Sequence, residues 1–168
     1  MRQFIYSFCC KIMVCLVCCN AAHAAIILQY HHVATNTPKS TSVTPTEFRQ
    51  QMQLLKEQGM QVVSMDTIIE HLQQHKPMPL NWVAITFDDG FANVYDNARP
   101  ILHEYSYPYT MFLGPALIDR REGPLLTWQQ IKTMHDEGAI IANHSSYHHH
   151  LAVPTAKETL SQWRERVK

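Results

Sequence analysis

Residues 82–90 read WVAITFDDG, and this stretch decides the fold. Its first six residues are rich in aromatic and β-branched side chains, so they predict a buried strand. The strand runs directly into Asp88 and Asp89, and Gly90 permits the sharp turn that follows. Two carboxylates therefore stand at the carboxyl end of the predicted strand.

Four other short apolar runs predict strands, and segments with helical periodicity separate them. The predicted strands are 26–28, which is expected to be buried and to end at residues 30–33, followed by 62–63, 109–113 and 139–142. Five helices are predicted. The first begins at Thr44, with Glu47 completing a capping box, and ends at Gly59; the second begins at Asp66. The third carries Val94, Ala98 and Ile101 and bends at Pro100, and the last two begin at Thr127 with Gln130 and at Thr155 with Glu158.

Five strand and helix units in succession predict an α/β fold. They indicate parallel strands joined by right-handed crossovers, because antiparallel hairpins need only about 2 to 5 linking residues. Both a doubly wound sheet and a (β/α) barrel fit this alternation, and a complete barrel takes about 250 residues. Since the sequence has 168 residues, we expect a barrel that is truncated after about five βα units and is incomplete at its C-terminus.

Charge and cysteine content exclude several classes of protein. The chain has 14 Lys and Arg against 14 Asp and Glu, so it lacks the positive surplus of nucleic-acid binders and polybasic membrane-surface proteins. All 5 cysteines lie within the first nineteen residues. The remaining chain therefore cannot form a disulfide scaffold, a thiolate zinc site or a cysteine nucleophile.

Residues 1–24 have the features of a signal peptide. The basic residues Arg2 and Lys11 precede the apolar run 12–19, and residues 22–24 form an Ala-x-Ala cleavage pattern. The run is too short to cross a hydrocarbon core, which needs about 20 helical residues. A lipid anchor at Cys19 is less favoured, because a cysteine rather than a small residue precedes it. We expect export to the periplasm or the extracellular space, with 25–168 as the mature domain.

Polar side chains follow three of the predicted strands. His31 and His32 follow the first strand, Asp88 and Asp89 follow the third, and His144 follows the fifth. In parallel α/β folds the loops at the carboxyl ends of the strands carry the reactive groups. We therefore expect these side chains to gather at one edge of the sheet.

A second imidazole, His148, follows His144 at i+4, which on a helical turn places both rings on the same side. Two imidazoles and one carboxylate suit Zn²⁺ and other first-row divalent metals, and they leave positions open for water and substrate. Neighbouring strand residues point to opposite faces, so Asp88 and Asp89 are expected to do different work. One carboxylate would bind the metal and the other would act as a general base.

Each of these motifs has a simpler interpretation when it is taken alone. An Asp-Asp-Gly sequence is commonly a turn or a helix cap, and a lone His-x3-His is commonly part of a surface helix. His149 and His150 are not predicted as ligands. His31 and His32 are expected either to contact substrate in the groove or to pack at the strand end. The coincidence of the motifs at three strand ends favours a functional site.

Residues 86–90, TFDDG, and residues 144–148, HSSYH, resemble the first two signature motifs of the polysaccharide deacetylases. These form the NodB-like group, carbohydrate esterase family four. Residues 30–33, the helix at 44–59 and residues 126–128 also resemble exported members, including those that act on poly-N-acetylglucosamine. The resemblance implies a distorted (β/α) barrel that removes acetyl groups from sugars with the help of a divalent metal, usually zinc.

The same resemblance implies a role for each site residue. Asp88 would be the general base, and Asp89, His144 and His148 would bind the metal, with Zn²⁺ as the expected ion. An acetylated polysaccharide is the implied substrate, and N-acetyl groups of N-acetylglucosamine polymers are the expected target. The later motifs of the family supply an Arg that orients the base, a groove wall with Asp and Trp, and a Leu-x-His acid. These motifs have no match here and are expected beyond Lys168.

Two other functions stay open at this point. A truncated, non-catalytic remnant of the same family would bind carbohydrate or metal without the acid and the groove wall. A phosphoryl-transfer receiver domain also places acidic pairs at strand ends around Mg²⁺. The leader and the two imidazoles argue against this last class, because Mg²⁺ prefers oxygen ligands. We expect no nucleic-acid partner and no stable membrane span after the leader is cleaved.

Overall fold

The computed structural model describes residues 25–121, 123–148 and 158–166. Four features that the sequence singled out lie outside the described residues: the leader at 1–24, His149, His150 and the cap Thr155.

The described chain alternates strands with helices. The strands are β1 (Ile26–Tyr30), β2 (His32–Val33), β3 (Ser42–Val43), β4 (Gln61–Val62), β5 (Trp82–Asp89), β6 (Thr110–Leu113) and β7 (Ile140–Asn143). The helices are α1 (Pro45–Glu57), α2 (Met65–Gln73), α3 (Arg99–Tyr105), α4 (Pro115–Arg120), α5 (Trp128–Asp136) and α6 (Leu160–Arg166). A short 3₁₀ turn, Lys39–Thr41, precedes β3, and a π-helical turn, Val94–Ala98, leads directly into α3.

Strand β5 is the centre of a parallel sheet. It pairs with β1, β4 and β6, and β6 pairs in turn with β7. Strands β2 and β3 form a separate parallel pair. The parallel pairing confirms the predicted α/β class. Among the described strands the sheet is open, since β1 and β7 each pair with one neighbour, and closure into a barrel stays a prediction.

Strand β5 separates two apolar clusters. Phe87 packs in the larger cluster with Phe48 of α1, and Ala84 packs in a smaller cluster with Ile68 of α2. Successive side chains of a strand point to opposite faces, so both faces of β5 are covered by helices. The same alternation places Asp88 on the same face of β5 as Ala84. Asp88 lies near the carboxyl end of β5, and the strand is buried from Trp82 to Asp88.

The prediction that the first strand is buried is wrong. Ile26 and Ile27 are 46% and 50% exposed. Strand β1 is the first strand in the sheet order, and among the described strands it pairs with β5 alone. One edge of β1 is therefore open, and its side chains have fewer neighbours than those of β5.

Two of the predicted helix starts are confirmed in detail. The side chain of Thr44 accepts a hydrogen bond from the Glu47 amide, and the Glu47 carboxylate accepts one from the Thr44 amide. The same reciprocal bonds join Thr127 and Gln130 at the start of α5. Each box satisfies two amide groups that a helix N-terminus leaves without partners.

Other helix boundaries differ from the predictions. Ser64, not Asp66, caps α2, because its hydroxyl accepts an amide hydrogen bond and Asp66 lies within the first turn. The π-helical turn runs without a break into α3, and Pro100 lies in the first turn of α3, so its missing N–H falls where the helical hydrogen-bond pattern changes. The bend at Pro100 stays a prediction. Thr159 and Gln162 exchange capping bonds at the start of α6. Helix α4 was not predicted at all.

Candidate metal centre

The carboxyl ends of β5, β6 and β7 lie side by side. Asp89, the last residue of β5, pairs in register with Leu113, and Leu113 pairs with Asn143 at the end of β7. The amide of His144 donates to the carbonyl of Leu113 at 2.9 Å and extends the ladder by one residue. Strand pairing therefore brings Asp88, Asp89 and His144 to one edge of the sheet, as the sequence predicted.

Asp89, His144 and His148 converge on one point. The Oδ1 atom of Asp89 lies 3.4 Å from Nε2 of His144 and 3.3 Å from Nε2 of His148. One ligand atom from each of the three residues lies within 4.8 Å of the others. The side chain of Asp89 is only 17% exposed, and those of His144 and His148 are 29% and 44% exposed. The cluster is therefore open on the histidine side.

A polar turn, rather than the predicted helical turn, returns His148 to the cluster. The side chain of Asn143 accepts a hydrogen bond from the Ser145 amide at 2.6 Å, and the Ser145 hydroxyl accepts one from the His148 amide at 3.1 Å. Ser145 and His148 both have positive φ, at 62° and 50°. Asn and Ser side chains that bond nearby amides compete with helix formation, which explains the difference.

The donor set fits a divalent metal ion. Asp89 Oδ1 is buried and accepts no hydrogen bond from any described residue, although two imidazole nitrogens face it. A buried carboxylate oxygen without a donor is costly, and an ion bound between it and the two nitrogens would remove that cost. One oxygen and two imidazole nitrogens are also the ligand types that zinc and other first-row metals take.

Asp88 lies beside this cluster but outside it. Its side chain is buried, and Gln29 of β1 donates a hydrogen bond to its Oδ2 atom. The same oxygen lies 3.9 Å from Nε2 of His144, which is farther than the 3.4 Å between that nitrogen and Asp89. The two neighbouring carboxylates thus have different surroundings. Sequence reasoning missed Gln29, although a polar residue within the apolar run 26–30 was a visible signal.

Gly90 holds the turn that presents both carboxylates. Its φ is +82°, a conformation that costs a residue with a Cβ about 1–2 kcal/mol. A Cβ at this position would also lie 2.8 Å from Cδ2 of Leu113. The carbonyl of Gly90 accepts a hydrogen bond from the amide of Leu126 at 2.8 Å. The turn therefore needs glycine for its conformation and for its space.

We expect Gly90→Ala to lower the free energy of unfolding by about 2–4 kcal/mol, from the strained φ and the contact with Leu113 together. Gly123→Ala is the matched control, because Gly123 has φ +81° and nothing within 4 Å of its virtual Cβ. The control should lose only the conformational part, about 1–2 kcal/mol. Urea unfolding of both variants measures the difference, and equal losses would contradict the close-approach argument.

His32 is packed rather than open to the groove. It is 7% exposed, and its ring lies 3.7 Å from the ring of Phe91 between centroids. The side-chain oxygen of Asn93 accepts a hydrogen bond from the Val33 amide. The side-chain nitrogen of Asn93 therefore faces His32 and donates to its Nδ1 atom at 3.0 Å. Because Nδ1 accepts this bond, the neutral ring carries its proton on Nε2. Burial lowers the pKa of His32 and the charge of His31 lowers it further, while Asp89 opposes the shift.

This geometry favours packing at the strand end for His32, one of the two alternatives that the sequence left open. His31 is half-buried and lines a cavity of about 310 Å³ together with Gln29 and Ser40. Contact of His31 with a substrate stays a prediction. Asn93, which orders His32, was missed because a lone Asn in a helical segment carries no signal in the sequence.

No helix within the described ranges is long and apolar enough to span a membrane.

Comparisons with known proteins agree with this geometry. A family model described as "Polysaccharide deacetylase" matches residues 75–168, which include both signature motifs. Among curated proteins, "Putative polysaccharide deacetylase YxkH" of Bacillus subtilis is 30% identical over 142 residues, covering 84% of this chain and 50% of that protein. "Poly-beta-1,6-N-acetyl-D-glucosamine N-deacetylase" of Staphylococcus epidermidis is 33% identical over 105 residues, covering 54% of this chain and 36% of that protein.

Solved structures match as well. The Streptococcus pyogenes deacetylase PplD in complex with acetate superposes with a TM-score of 0.68 at 28% identity, covering 78% of this chain and 60% of that one. IcaB from Ammonifex degensii has a TM-score of 0.69 at 26% identity, covering 81% and 58%. The chain spans at most about half the length of the two curated relatives named here. Since the family model covers more than half of the sequence, the chain belongs to the polysaccharide deacetylase family.

Proposed function

We propose that this chain carries the metal centre and the general base of an exported deacetylase that hydrolyses N-acetyl groups of N-acetylglucosamine polymers. The observation that carries the proposal is the meeting of Asp89 Oδ1 with two imidazole nitrogens at 3.3 and 3.4 Å, with a second buried carboxylate beside them. Family membership supports the reaction class. The N-acetylglucosamine polymer is proposed because curated relatives bear that substrate in their names.

Asp89, His144 and His148 would hold the divalent metal, with Zn²⁺ as the expected ion. The ion, when bound, supplies Lewis acidity, which polarises the acetyl carbonyl and activates water. Asp89 brings the negative charge of the set, and its burial excludes competing water from Oδ1. His148 is the most exposed of the three, so the substrate would approach from its side.

Asp88 would accept the proton of the attacking water. A general base must lie within hydrogen-bond reach of that water, and Asp88 lies at the same strand end as the three proposed ligands. Hydrolysis breaks the amide C–N bond of the N-acetyl group. The oxygen of water joins the acetyl carbon, acetate leaves, and the sugar nitrogen takes a proton and becomes an amine.

Export is part of the proposal because residues 1–24 have the features of a signal peptide. The secreted protein should begin at Ala25. N-terminal sequencing of protein recovered from the periplasm or the medium would check this, and a mature protein that retains residues 1–24 would contradict it.

Metal dependence tests the proposal directly. The protein, expressed over the whole reading frame of its gene, should release acetate from an N-acetylglucosamine oligomer. Dialysis against a chelator should lower the rate by at least about 100-fold, because activation of water and polarisation of the carbonyl are both lost. Adding back one equivalent of Zn²⁺ or Co²⁺ should restore the rate.

Two outcomes would overturn the proposal. Acetate release that survives complete metal removal would exclude the metal centre from the reaction. A protein that binds one divalent ion but releases no acetate from N-acetylated or O-acetylated sugars would instead be the non-catalytic binding remnant.

A further inference from the structure

Asp88 has a neighbour on β1 that fixes the direction of its carboxylate. Gln29 pairs in register with Thr86 of β5, two residues before Asp88, and its side-chain amide donates to Asp88 Oδ2. The two residues are 59 positions apart in the sequence, so this contact exists only because β1 and β5 pair. The pairing of the two strands therefore determines that the side-chain amide of Gln29 can contact Asp88.

The same oxygen of Asp88 has a second neighbour. Nε2 of His144 lies 3.9 Å from Asp88 Oδ2 and 3.4 Å from Asp89 Oδ1. A carboxylate at this distance that was free to rotate would be drawn to the same cation as Asp89, because both carry a negative charge. The hydrogen bond from Gln29 acts against that rotation.

We propose that Gln29 is a positioning residue, which holds Asp88 Oδ2 on the β1 side and keeps this carboxylate out of the Asp89–His144–His148 ligand set. This inference rests on the proposed function, in which Asp88 is the base. Gln29 is suited to the task because its amide is a neutral donor, so it directs the carboxylate without adding a charge to the site. It acts through Asp88 and is not itself a catalytic residue.

Gln29→Met tests the proposal, because Met has a similar length and no hydrogen-bond donor. We expect kcat to fall about 10-fold, since misplacing a reacting group costs up to about 100-fold, and KM to stay within about twofold. The bound metal per chain should not fall, because the three ligands are untouched. Ile26→Met is the matched control, as it places the same side chain on the opposite face of β1, where the native residue is 46% exposed.

A thermal double-mutant cycle provides a readout that does not depend on activity. If Gln29 bonds to Asp88, the Tm shifts of Gln29→Met and Asp88→Ala should not add in the double variant. Ile26→Met and Asp88→Ala, whose side chains share no hydrogen bond, provide the reference for additive shifts.

The possible results separate this inference from the proposed function. A kcat of Gln29→Met within twofold of the wild type, or joint loss of metal and kcat, would overturn the positioning role. Additive Tm shifts would overturn it as well. A wild-type protein that releases no acetate would instead overturn the proposed function, and the thermal cycle would still decide whether Gln29 holds Asp88.

Discussion

Asp88→Asn is expected to lower acetate release by about 10²- to 10⁴-fold while the protein keeps its metal. Asn has nearly the size of Asp but cannot accept a proton from water, so the substitution removes the base and little else. The three proposed ligand atoms, which lie within 4.8 Å of one another, do not include an atom of Asp88. Steady-state kinetics and the metal content per chain, measured on the same preparation, test both parts of the expectation.

Asp89→Asn is the matched comparison and should lose metal and activity together. Asp89 has φ +68°, and Asn is one of the few residues that tolerate a left-handed conformation, so the fold should survive the change. If Asp88→Asn were instead the variant that released metal, the roles of the two carboxylates would be reversed. An unchanged kcat in Asp88→Asn would exclude it as the base.

The two neighbouring carboxylates can divide their roles because the backbone changes conformation between them. Asp88 is buried on one face of β5, where Gln29 reaches it. Asp89 leaves the extended conformation, and its left-handed φ costs about 1–2 kcal/mol, a strain that folded proteins concentrate at functional sites. In this conformation Asp89 Oδ1 faces two imidazoles and accepts no hydrogen bond from the described residues. A buried oxygen without a donor lowers the stability of the fold, but it is well placed to bind a cation.

Much of the fold could be predicted because its signals are local. Strand β5 follows from the run 82–87, in which five of six residues are aromatic or β-branched, and the starts of α1 and α5 follow from capping boxes only four residues long. The gathering of Asp88, Asp89 and His144 at one edge follows from a general property of parallel sheets, that their carboxyl ends coincide.

The features that could not be predicted depend on contacts between distant residues. The hydrogen bond from Gln29 to Asp88 requires the register of β1 on β5, which no short pattern in the sequence specifies. The return of His148 through a polar turn depends on which amides Asn143 and Ser145 bond. The exposure of Ile27 depends on which strands flank β1, since its own sequence reads like that of a buried strand.

His148→Ala is expected to weaken binding of Zn²⁺ by at least about 10-fold, because two protein ligands rarely hold zinc well. The fold should survive the change at a cost of about 1–2 kcal/mol, because His148 has φ +50°, a conformation that Ala adopts less readily. The side chain of His148 is 44% exposed, and its backbone amide, which donates to the Ser145 hydroxyl, is retained in Ala. The main loss should therefore appear in the dissociation constant, measured by competition with a chromophoric chelator, with a small decrease in the Tm of the metal-free protein.

His135→Ala is the matched control, because His135 lies on α5 outside the three-residue set and its ring faces the carbonyl of Ala139. It should bind Zn²⁺ as the wild type does. Free imidazole should restore part of the affinity of His148→Ala, since it supplies the same nitrogen ligand to a site that is open on that side. Equal dissociation constants for His148→Ala and the wild type would remove His148 from the ligand set. A loss of affinity that imidazole did not reverse would identify His148 as a structural residue of the turn.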